Sequence, residues 1–189
     1  MIVKINRARG FTLVELIVTL AVVAITITVG VPALTGTIKN NRITSEYNHF
    51  LTHIQLARSE ALKRGRTVTI CRSNNGATCS GARGIYEHGW LLYVDTAGGN
   101  NDYIAGDGDI LIRIGNPAAT NTTIRGNDAA GNWLSFNSIG MLDEGGSEAV
   151  LIVCDKDGST NAVPGRKLTI TVTGQVEFKK LAAGASCTP

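Results

Sequence analysis

The sequence predicts an α+β protein with one long N-terminal helix packed on a C-terminal head made of a single antiparallel β-sheet. Residues 16–38 carry no charged side chain and are mostly Val, Leu, Ile and Ala, enough for a helix that crosses a bilayer. Residues 39–64 repeat apolar side chains every three to four positions, which indicates an amphipathic helix. Residues 65–189 hold short β-like runs between turn residues. A long helix followed by such runs is typical of the α+β class.

The first ten residues, MIVKINRARG, form a short basic leader that contains Lys4, Arg7 and Arg9 and no acid. Basic residues beside an apolar helix keep that end of it in the cytoplasm. A secretory signal is cut after its apolar core, whereas here the suggestive junction, Gly10-Phe11, lies before the core. A cut at this junction removes residues 1–10 and leaves the apolar helix on the mature protein.

Glu15 interrupts the apolar run, where an ionised carboxylate costs about 2.5–3.5 kcal/mol on insertion scales. The leader, the Gly10-Phe11 junction and a glutamate at the fifth mature position together resemble a type IV prepilin. The resemblance implies that prepilin peptidase cuts after Gly10 and methylates the amine of Phe11. It also implies that Glu15 pairs with the N-terminal amine of a neighbouring subunit, which offsets the desolvation cost. The alternative is a plain membrane anchor whose Glu15 reaches the interface.

The helical part is predicted to have two segments, a transmembrane and assembly helix over 11–38 and an amphipathic half over 39–64. Pro32, flanked by two glycines, predicts a kink or local loosening of the helix. We predict that Glu15 and Pro32 both act in assembly of the subunit into a filament. The helix is expected to end near Arg64, with Gly65 as its stop. Its apolar face comprises Ile43, Tyr47, Phe50, Ile54, Ala57, Ala61 and Leu62, and its polar face Arg42, Glu46, His49, His53, Glu60 and Lys63.

The β-rich head is predicted over residues 65–189, with seven candidate strands. They are RTVTIC, WLLYV, DILIRI, WLSFN, AVLIVC, KLTITV and QVEFK. The residues TGQ at 173–175 predict a tight turn that makes the last two strands a hairpin.

Four cysteines lie beyond the apolar segment, on the side where disulfides persist if the leader stays in the cytoplasm. Four cysteines allow three pairings. We favour Cys71–Cys79, which closes the loop CRSNNGATC, and Cys154–Cys187, which ties the C-terminal tail to a strand. A zinc site is the competing interpretation, but neither spacing resembles a CxxC knuckle.

Composition argues against several function classes. The formal charge of +3 comes from the leader, since without it 15 Lys and Arg face 15 Asp and Glu, so global basicity gives no reason to expect nucleic acid. No nucleophile elbow, phosphate loop or spaced Cys–His pair is present. We therefore predict a substrate of an enzyme and not an enzyme, with no cofactor and no metal.

Two further patterns have plain interpretations. His49 and His53 stand four apart on the helix without a third ligand or the glutamate of a metalloprotease motif, which favours a solvated face. The acidic stretch from Asp95 to Asp109 fails the EF-hand pattern, because Gly106 stands where the twelfth-position glutamate belongs. A loop is the favoured interpretation there.

A sharper resemblance lies in ARSEALKRGRTVTIC followed by GWLLYVD, which is similar to the GspH/FimT group of minor pilins and pseudopilins. It covers the first sixty residues tightly, residues 65–95 moderately and those beyond about 115 loosely. It implies a FimU/FimT-type minor pilin that sits in the bacterial inner membrane by a single pass, with a periplasmic head, and then enters the pilus filament. The implied partners are other minor pilins, the major pilin, prepilin peptidase and the inner-membrane assembly platform, and the implied role is to prime or cap assembly.

Two alternatives stay open. A GspH-type pseudopilin of type II secretion would have the same shape. A DNA-binding pilin for natural transformation is the other, because some FimT-type pilins that take up DNA carry Gly-Arg-x-Arg near the C-terminus. This chain has Gly165, Arg166 and Lys167 but Leu168 in place of the second arginine. Lys179 and Lys180 are expected across the hairpin and could complete a basic patch for phosphate contact.

Overall fold

The computed structural model describes residues 10–96, 101–143, 145–156, 163–182 and 184–189, apart from the side chains of 32 and 33. Helix α1 spans Leu13–Arg64, 52 residues, and so runs through both predicted helical segments. It ends as predicted, because Gly65 adopts a φ of 62° and its N–H donates to the carbonyl of Ala61 at 2.9 Å. The contacts divide the chain into two units, one up to Ile38 and one from Lys39.

Eight strands follow the helix in the described part of the chain. They are β1 (Val68–Arg72), β2 (Trp90–Val94), β3 (Ile110–Gly115), β4 (Thr122–Gly126), β5 (Trp133–Phe136), β6 (Ala149–Asp155), β7 (Arg166–Ile170) and β8 (Val176–Lys180). The α+β class is confirmed. The single sheet of the prediction is replaced by two, and β4 is a strand that the sequence analysis missed.

The two sheets each have four strands, and neighbouring strands are antiparallel. The first has the order β3-β2-β1-β5 and the second β4-β6-β7-β8. The β7–β8 hairpin is confirmed, with Thr171 N–H donating to Gln175 O at 2.9 Å and Gly174 at a φ of 76° in the turn.

One hydrophobic core joins the helix to both sheets. The predicted apolar face of α1 is buried in it, except that Leu62 stays 52% exposed. Core residues come from both sheets, with Trp90 and Phe136 in the first sheet and Leu151 and Leu168 in the second. A smaller cluster of Cys71, Leu91 and Tyr93 is separate from this core. The head is therefore a two-sheet structure built around residues 43–61 of the helix.

Candidate assembly site

The start of α1 is capped by its own sequence. Thr12 precedes the helix and its Oγ1 accepts the backbone N–H of Glu15 at 3.2 Å, the bond that an N-cap residue supplies. Glu15 lies in the first helical turn, where the helix dipole favours a negative charge. No described residue makes an ion pair with the Glu15 carboxylate. Helix geometry thus stabilises the carboxylate at this position and leaves room for a partner from outside the chain.

Gly10 and Phe11 lie before the helix and are exposed. Phe11 is 84% exposed, and a Cβ built on Gly10 meets no described atom within 4 Å. The fold of this chain therefore gives no reason for a glycine at position 10. Residues 1–9, which hold the predicted basic leader, lie outside the described residues.

The first part of α1 presents an apolar surface without a packing partner in the described chain. Its large apolar side chains between Leu13 and Ile38 are 52–73% exposed, far more than a helix in a water-soluble core allows. By length and composition α1 is the one described helix that could cross a membrane. Such a surface has to be covered by lipid or by other apolar helices.

Three threonine side chains within this part of the helix donate hydrogen bonds to the helix backbone. The hydroxyl groups of Thr19, Thr26 and Thr28 donate to the carbonyls of Leu16, Val22 and Ile25, each at 2.8 Å. Hydroxyls satisfied in this way do not need water, which suits an apolar environment. The helix passes through Pro32 without a break in its assignment, but the side chain of Pro32 lies outside the described part.

Where the helix enters the head, two cations meet one buried carboxylate. Asp155 at the end of β6 accepts Arg42 Nη2 at 2.7 Å and lies 3.6 Å from Lys39 Nζ. Arg42 also donates to the Asn121 carbonyl at 3.3 Å. Near the other end of the helix, Arg58 donates to the carbonyls of Gly140 and Thr173. These contacts fix residues 39–58 of α1 on the head.

His53 corrects the prediction of a solvated helix face. Its side chain is buried, and its Nδ1 accepts the indole N–H of buried Trp90 at 3.1 Å. His49, in contrast, is exposed, with its ring centroid 4.8 Å from that of His53. His53 lies three residues after Phe50 and four before Ala57, so helical geometry places it on the core side. Its role is structural packing, and no described group of His, Cys, Asp and Glu residues could hold a metal ion.

The predicted basic patch on the β7–β8 hairpin is divided between the two faces of the sheet. Cross-strand pairing sets Arg166 opposite Lys180 and Lys167 opposite Lys179, and residues directly opposite each other share a face. Lys179 and Lys180 are exposed and Lys167 is half-buried. The four cations therefore do not form one surface.

Arg166 is bound inside the protein. It is 8% exposed and donates to Asn40 Oδ1 at 2.8 Å, Thr44 Oγ1 at 3.3 Å and the Pro164 carbonyl at 3.0 Å. The guanidinium thus joins β7 to the helix, and the expectation of a phosphate contact at this residue is corrected. A DNA contact stays a prediction that rests on Lys167, Lys179 and Lys180.

Both favoured cysteine pairs are joined in the structure. Cys71–Cys79 has a Cα–Cα distance of 5.6 Å and closes the loop after β1. Cys154–Cys187, at 6.0 Å, holds the C-terminal tail on β6. The described residues contain no free cysteine.

The acidic stretch between β2 and β3 uses its carboxylates to organise the loop. Asp109 accepts the backbone N–H groups of Thr96 and Ile104 at 2.9 and 3.0 Å, and Asp95 accepts that of Asn101 at 3.3 Å. Residues 97–100 of this stretch lie outside the described residues. The carboxylates of Asp95 and Asp109 act as turn-forming acceptors.

A long apolar N-terminal helix with a glutamate in its first turn, followed by a disulfide-linked antiparallel head, defines the pilin-like class. Residues 46–175 match the family model described as Type II transport protein GspH, and residues 5–31 match the prokaryotic N-terminal methylation motif. Because the first match spans more than half of the chain, the protein belongs to the GspH family. It is a member of the minor pilin and pseudopilin group with an N-methylation motif.

Two crystal structures of one protein show the same fold. The type IV minor pilin FimU of Pseudomonas aeruginosa aligns with a TM-score of 0.57 and 23% identity, over 78% of this chain and 96% of that chain. A second crystal form of FimU aligns with a TM-score of 0.50 and 22% identity, over 71% of this chain and 90% of that chain. The minor pseudopilin EpsH of the Vibrio cholerae type 2 secretion system aligns with a TM-score of 0.48 and 13% identity, over 77% of this chain and 99% of that chain. No curated protein sequence matches.

Proposed function

We propose that this protein is a minor pilin of a type IV pilus. It is made as a prepilin in the bacterial inner membrane, with one pass through the bilayer and its head in the periplasm. Prepilin peptidase cuts between Gly10 and Phe11 and methylates the new amine, and the mature subunit enters the filament to prime or cap assembly. Residues 11–38 are its transmembrane and assembly segment, 39–64 its amphipathic half and 65–189 its head.

The observation that carries the proposal is the unpartnered apolar helix with Glu15 in its first turn, within the stretch that matches the methylation motif. A side-chain charge in an apolar segment is expensive unless a counter-charge reaches it. The amine of a neighbouring Phe11 is such a counter-charge, and it becomes available only after cleavage. Glu15 would then set the register between subunits, while apolar packing drives their association.

The proposal also specifies the partners. Other minor pilins and the major pilin cover the exposed apolar helix, prepilin peptidase acts on Gly10, and the inner-membrane assembly platform adds the subunit to the filament. Pro32, inside the apolar run, is proposed to let the helix adjust as it leaves lipid for the filament core.

A second candidate function is that of a pseudopilin in type II secretion. The family description, Type II transport protein GspH, favours it. The pilus is favoured by the likeness to FimU, which covers 96% of that chain with a TM-score of 0.57. A pilus subunit and a secretion pseudopilin would be processed and assembled in the same way. The phenotype of a deletion strain therefore has to distinguish between the two functions.

Deletion of the gene in its native host separates them. The proposal predicts loss or sharp reduction of surface pili, counted by electron microscopy, with normal export of type II secretion substrates. Complementation with the wild-type gene has to restore the pili. Normal piliation together with lost export would overturn the pilus assignment in favour of secretion.

A further inference from the structure

A cavity of about 410 Å³ opens at one end of the head, where strands of both sheets end. At this end of the first sheet, Arg72 of β1 pairs with Trp90 of β2, which pairs with Gly115 of β3. At the end of the second sheet, Thr122 of β4 pairs with Asp155 of β6. We call this space the strand-end cavity. Its volume lies within the range of about 300–1,000 Å³ that is typical of small-molecule sites.

The walls of the strand-end cavity are held in place by hydrogen bonds within the head. They are formed by residues 74, 87–88, 117–123 and 156. The N–H of Ala118 donates to the Glu87 carbonyl at 2.9 Å, and that of Ala119 donates to Oε1 of Glu46 on α1 at 3.0 Å. Walls that are fixed before a ligand arrives lose little conformational entropy when it binds.

Several polar side chains of the cavity wall are free to bind a ligand. Four of them are exposed and make no hydrogen bond or ion pair with a described residue: Asn74, His88, Thr120 and Lys156. Thr122 lines the same cavity, and its hydroxyl is buried without a partner among the described residues. A buried polar group left unpaired costs about 1–3 kcal/mol, so such a group at a cavity wall indicates a site that a ligand completes.

The charge of the wall favours an anionic ligand. Glu87 is the one acid among the described lining residues, and its Oε1 is already bound by Arg125 Nη2 at 2.6 Å. Lys156 has no carboxylate partner in the described part of the chain, and its backbone N–H donates to the Asn121 carbonyl at 2.8 Å. The uncompensated charge of the cavity is therefore positive, and it attracts a carboxylate or another anionic group.

The rest of the lining selects a small ligand with both C–H and hydroxyl surfaces. Pro117, Ala118 and Ala119 form a short apolar stretch that is followed directly by Thr120. A purely apolar ligand would leave the amide and hydroxyl groups of the wall without partners, which costs free energy for each group that it buries. A simple inorganic anion would satisfy the cation but contact little of the apolar stretch. A sugar ring carries C–H groups and hydroxyl groups within a few ångströms of each other.

We propose that the strand-end cavity binds a sugar that carries a carboxylate, a hexuronate. The carboxylate pairs with Lys156, the ring hydroxyl groups bond to Asn74 and Thr120, and a C–H face of the ring lies on Pro117. A hydroxyl seated against Thr122 gives this buried group the partner that it lacks. All of these residues belong to the unit that begins at Lys39, so the binding does not depend on which assembly the protein enters.

Ligand-observed NMR titration of the full-length protein in detergent micelles tests the proposal. The probes are glucuronate, galacturonate and mannuronate, with glucose as the neutral sugar and acetate as the simple anion. The expected result is that at least one hexuronate binds with a Kd of about 1 mM or below, at least about tenfold more tightly than glucose or acetate. The proposal would be overturned if none of the three bound at up to about 10 mM, or if glucose or acetate bound as tightly as the best hexuronate.

Three variants locate the binding in the cavity. Lys156→Gln should weaken binding of the hexuronate at least about tenfold and leave the weaker binding of glucose unchanged, with an unchanged melting temperature. Thr120→Val keeps the shape of the side chain but removes its hydroxyl, and it should weaken both sugars about threefold to tenfold, as the loss of one hydrogen bond does. The matched control is Lys179→Gln, which removes an exposed lysine of β8 outside the cavity and should bind like the wild type. Equal hexuronate affinities of Lys156→Gln and Lys179→Gln would overturn the site.

Discussion

The indole N–H of Trp90 donates to Nδ1 of His53 across 3.1 Å, and both side chains are buried between α1 and the first sheet. This hydrogen bond requires His53 to be unprotonated at Nδ1. The groups around it are cationic when charged, with His49 one helical turn away and Arg113 on β3. The contact between α1 and the first sheet therefore contains a hydrogen bond that acid can break by protonating His53.

Acid should weaken the fold through His53. Burial first, and then the charges of His49 and Arg113, lower its pKa from 6.5 to about 4. Because the unfolded chain binds this proton at higher pH than the folded chain does, the contribution is intact above pH 6.5 and is lost as the pH falls towards 4. At about pH 4.5 the expected cost is roughly 2–3 kcal/mol.

The test is the free energy of unfolding of the full-length protein in detergent micelles, measured at about pH 7 and pH 4.5. His53→Gln is the matched variant, since an amide oxygen can still accept the Trp90 N–H but does not titrate. The variant should lose less stability on acidification than the wild type. Identical losses in both proteins would show that His53 is not the acid-sensitive group.

Gly115→Ala should destabilise the head. A Cβ at Gly115 would overlap the indole ring of Trp90, which cannot move without losing its bond to His53. Overpacking of this kind costs about 1–3 kcal/mol. The control is Gly106→Ala, where a Cβ meets nothing within 4 Å and the change should stay within about 0.5 kcal/mol. Urea unfolding followed by tryptophan fluorescence measures both, and equal effects would contradict the packing argument.

Gly10→Val should leave the leader on the protein. The chain itself has space at Gly10, so the loss is expected in the peptidase and not in folding. Gly30→Val is the matched control, because a Cβ at Gly30 also meets nothing within 4 Å but lies inside the retained helix. Immunoblots of native-host membranes should show only the longer form for Gly10→Val and only the shorter form for Gly30→Val. A processed Gly10→Val protein would refute the cleavage site.

Glu15→Gln should insert into the membrane and yet enter filaments poorly. The amide keeps the shape of the side chain but removes the charge that the proposed pairing with an N-terminal amine requires. A loss of about 1.4 kcal/mol already lowers occupancy tenfold, so we expect at least that reduction. Glu15→Asp keeps the charge and should retain part of the wild-type level. Quantitative mass spectrometry of filaments, normalised to the membrane pool, gives the ratio; equal ratios for Gln and wild type would rule out charge pairing.

The helical part of the fold was predictable because local periodicity determines it. The spacing of Ile43, Tyr47, Phe50 and Ile54 matches the face that the structure buries, and Gly65 marks the end of the helix. His53 was assigned to the wrong face because its polarity was weighed above its position, although the same periodicity places it beside Phe50. Its bond to Trp90, 37 residues later in the chain, depends on tertiary packing that no local pattern contains.

The β-rich part was less predictable. Strand β4, Thr122–Gly126, has five residues and one charge, so it gives too weak an alternation to be separated from the loop before it. The position of Arg166 could have been inferred, since strand alternation puts it on the face of buried Leu168 and Ile170. The division into two sheets could not, because strand order depends on contacts between distant segments. The methylation motif was readable because its residues are contiguous.

The most direct test of the central claim is mass spectrometry of pili sheared from the native host. The account predicts a peptide that begins with N-methylated Phe11 and contains Glu15, enriched in the pilus fraction. Its amount should be small beside that of the major pilin. Finding that peptide in membranes alone, or finding residues 1–10 still attached in the pilus fraction, would contradict the account.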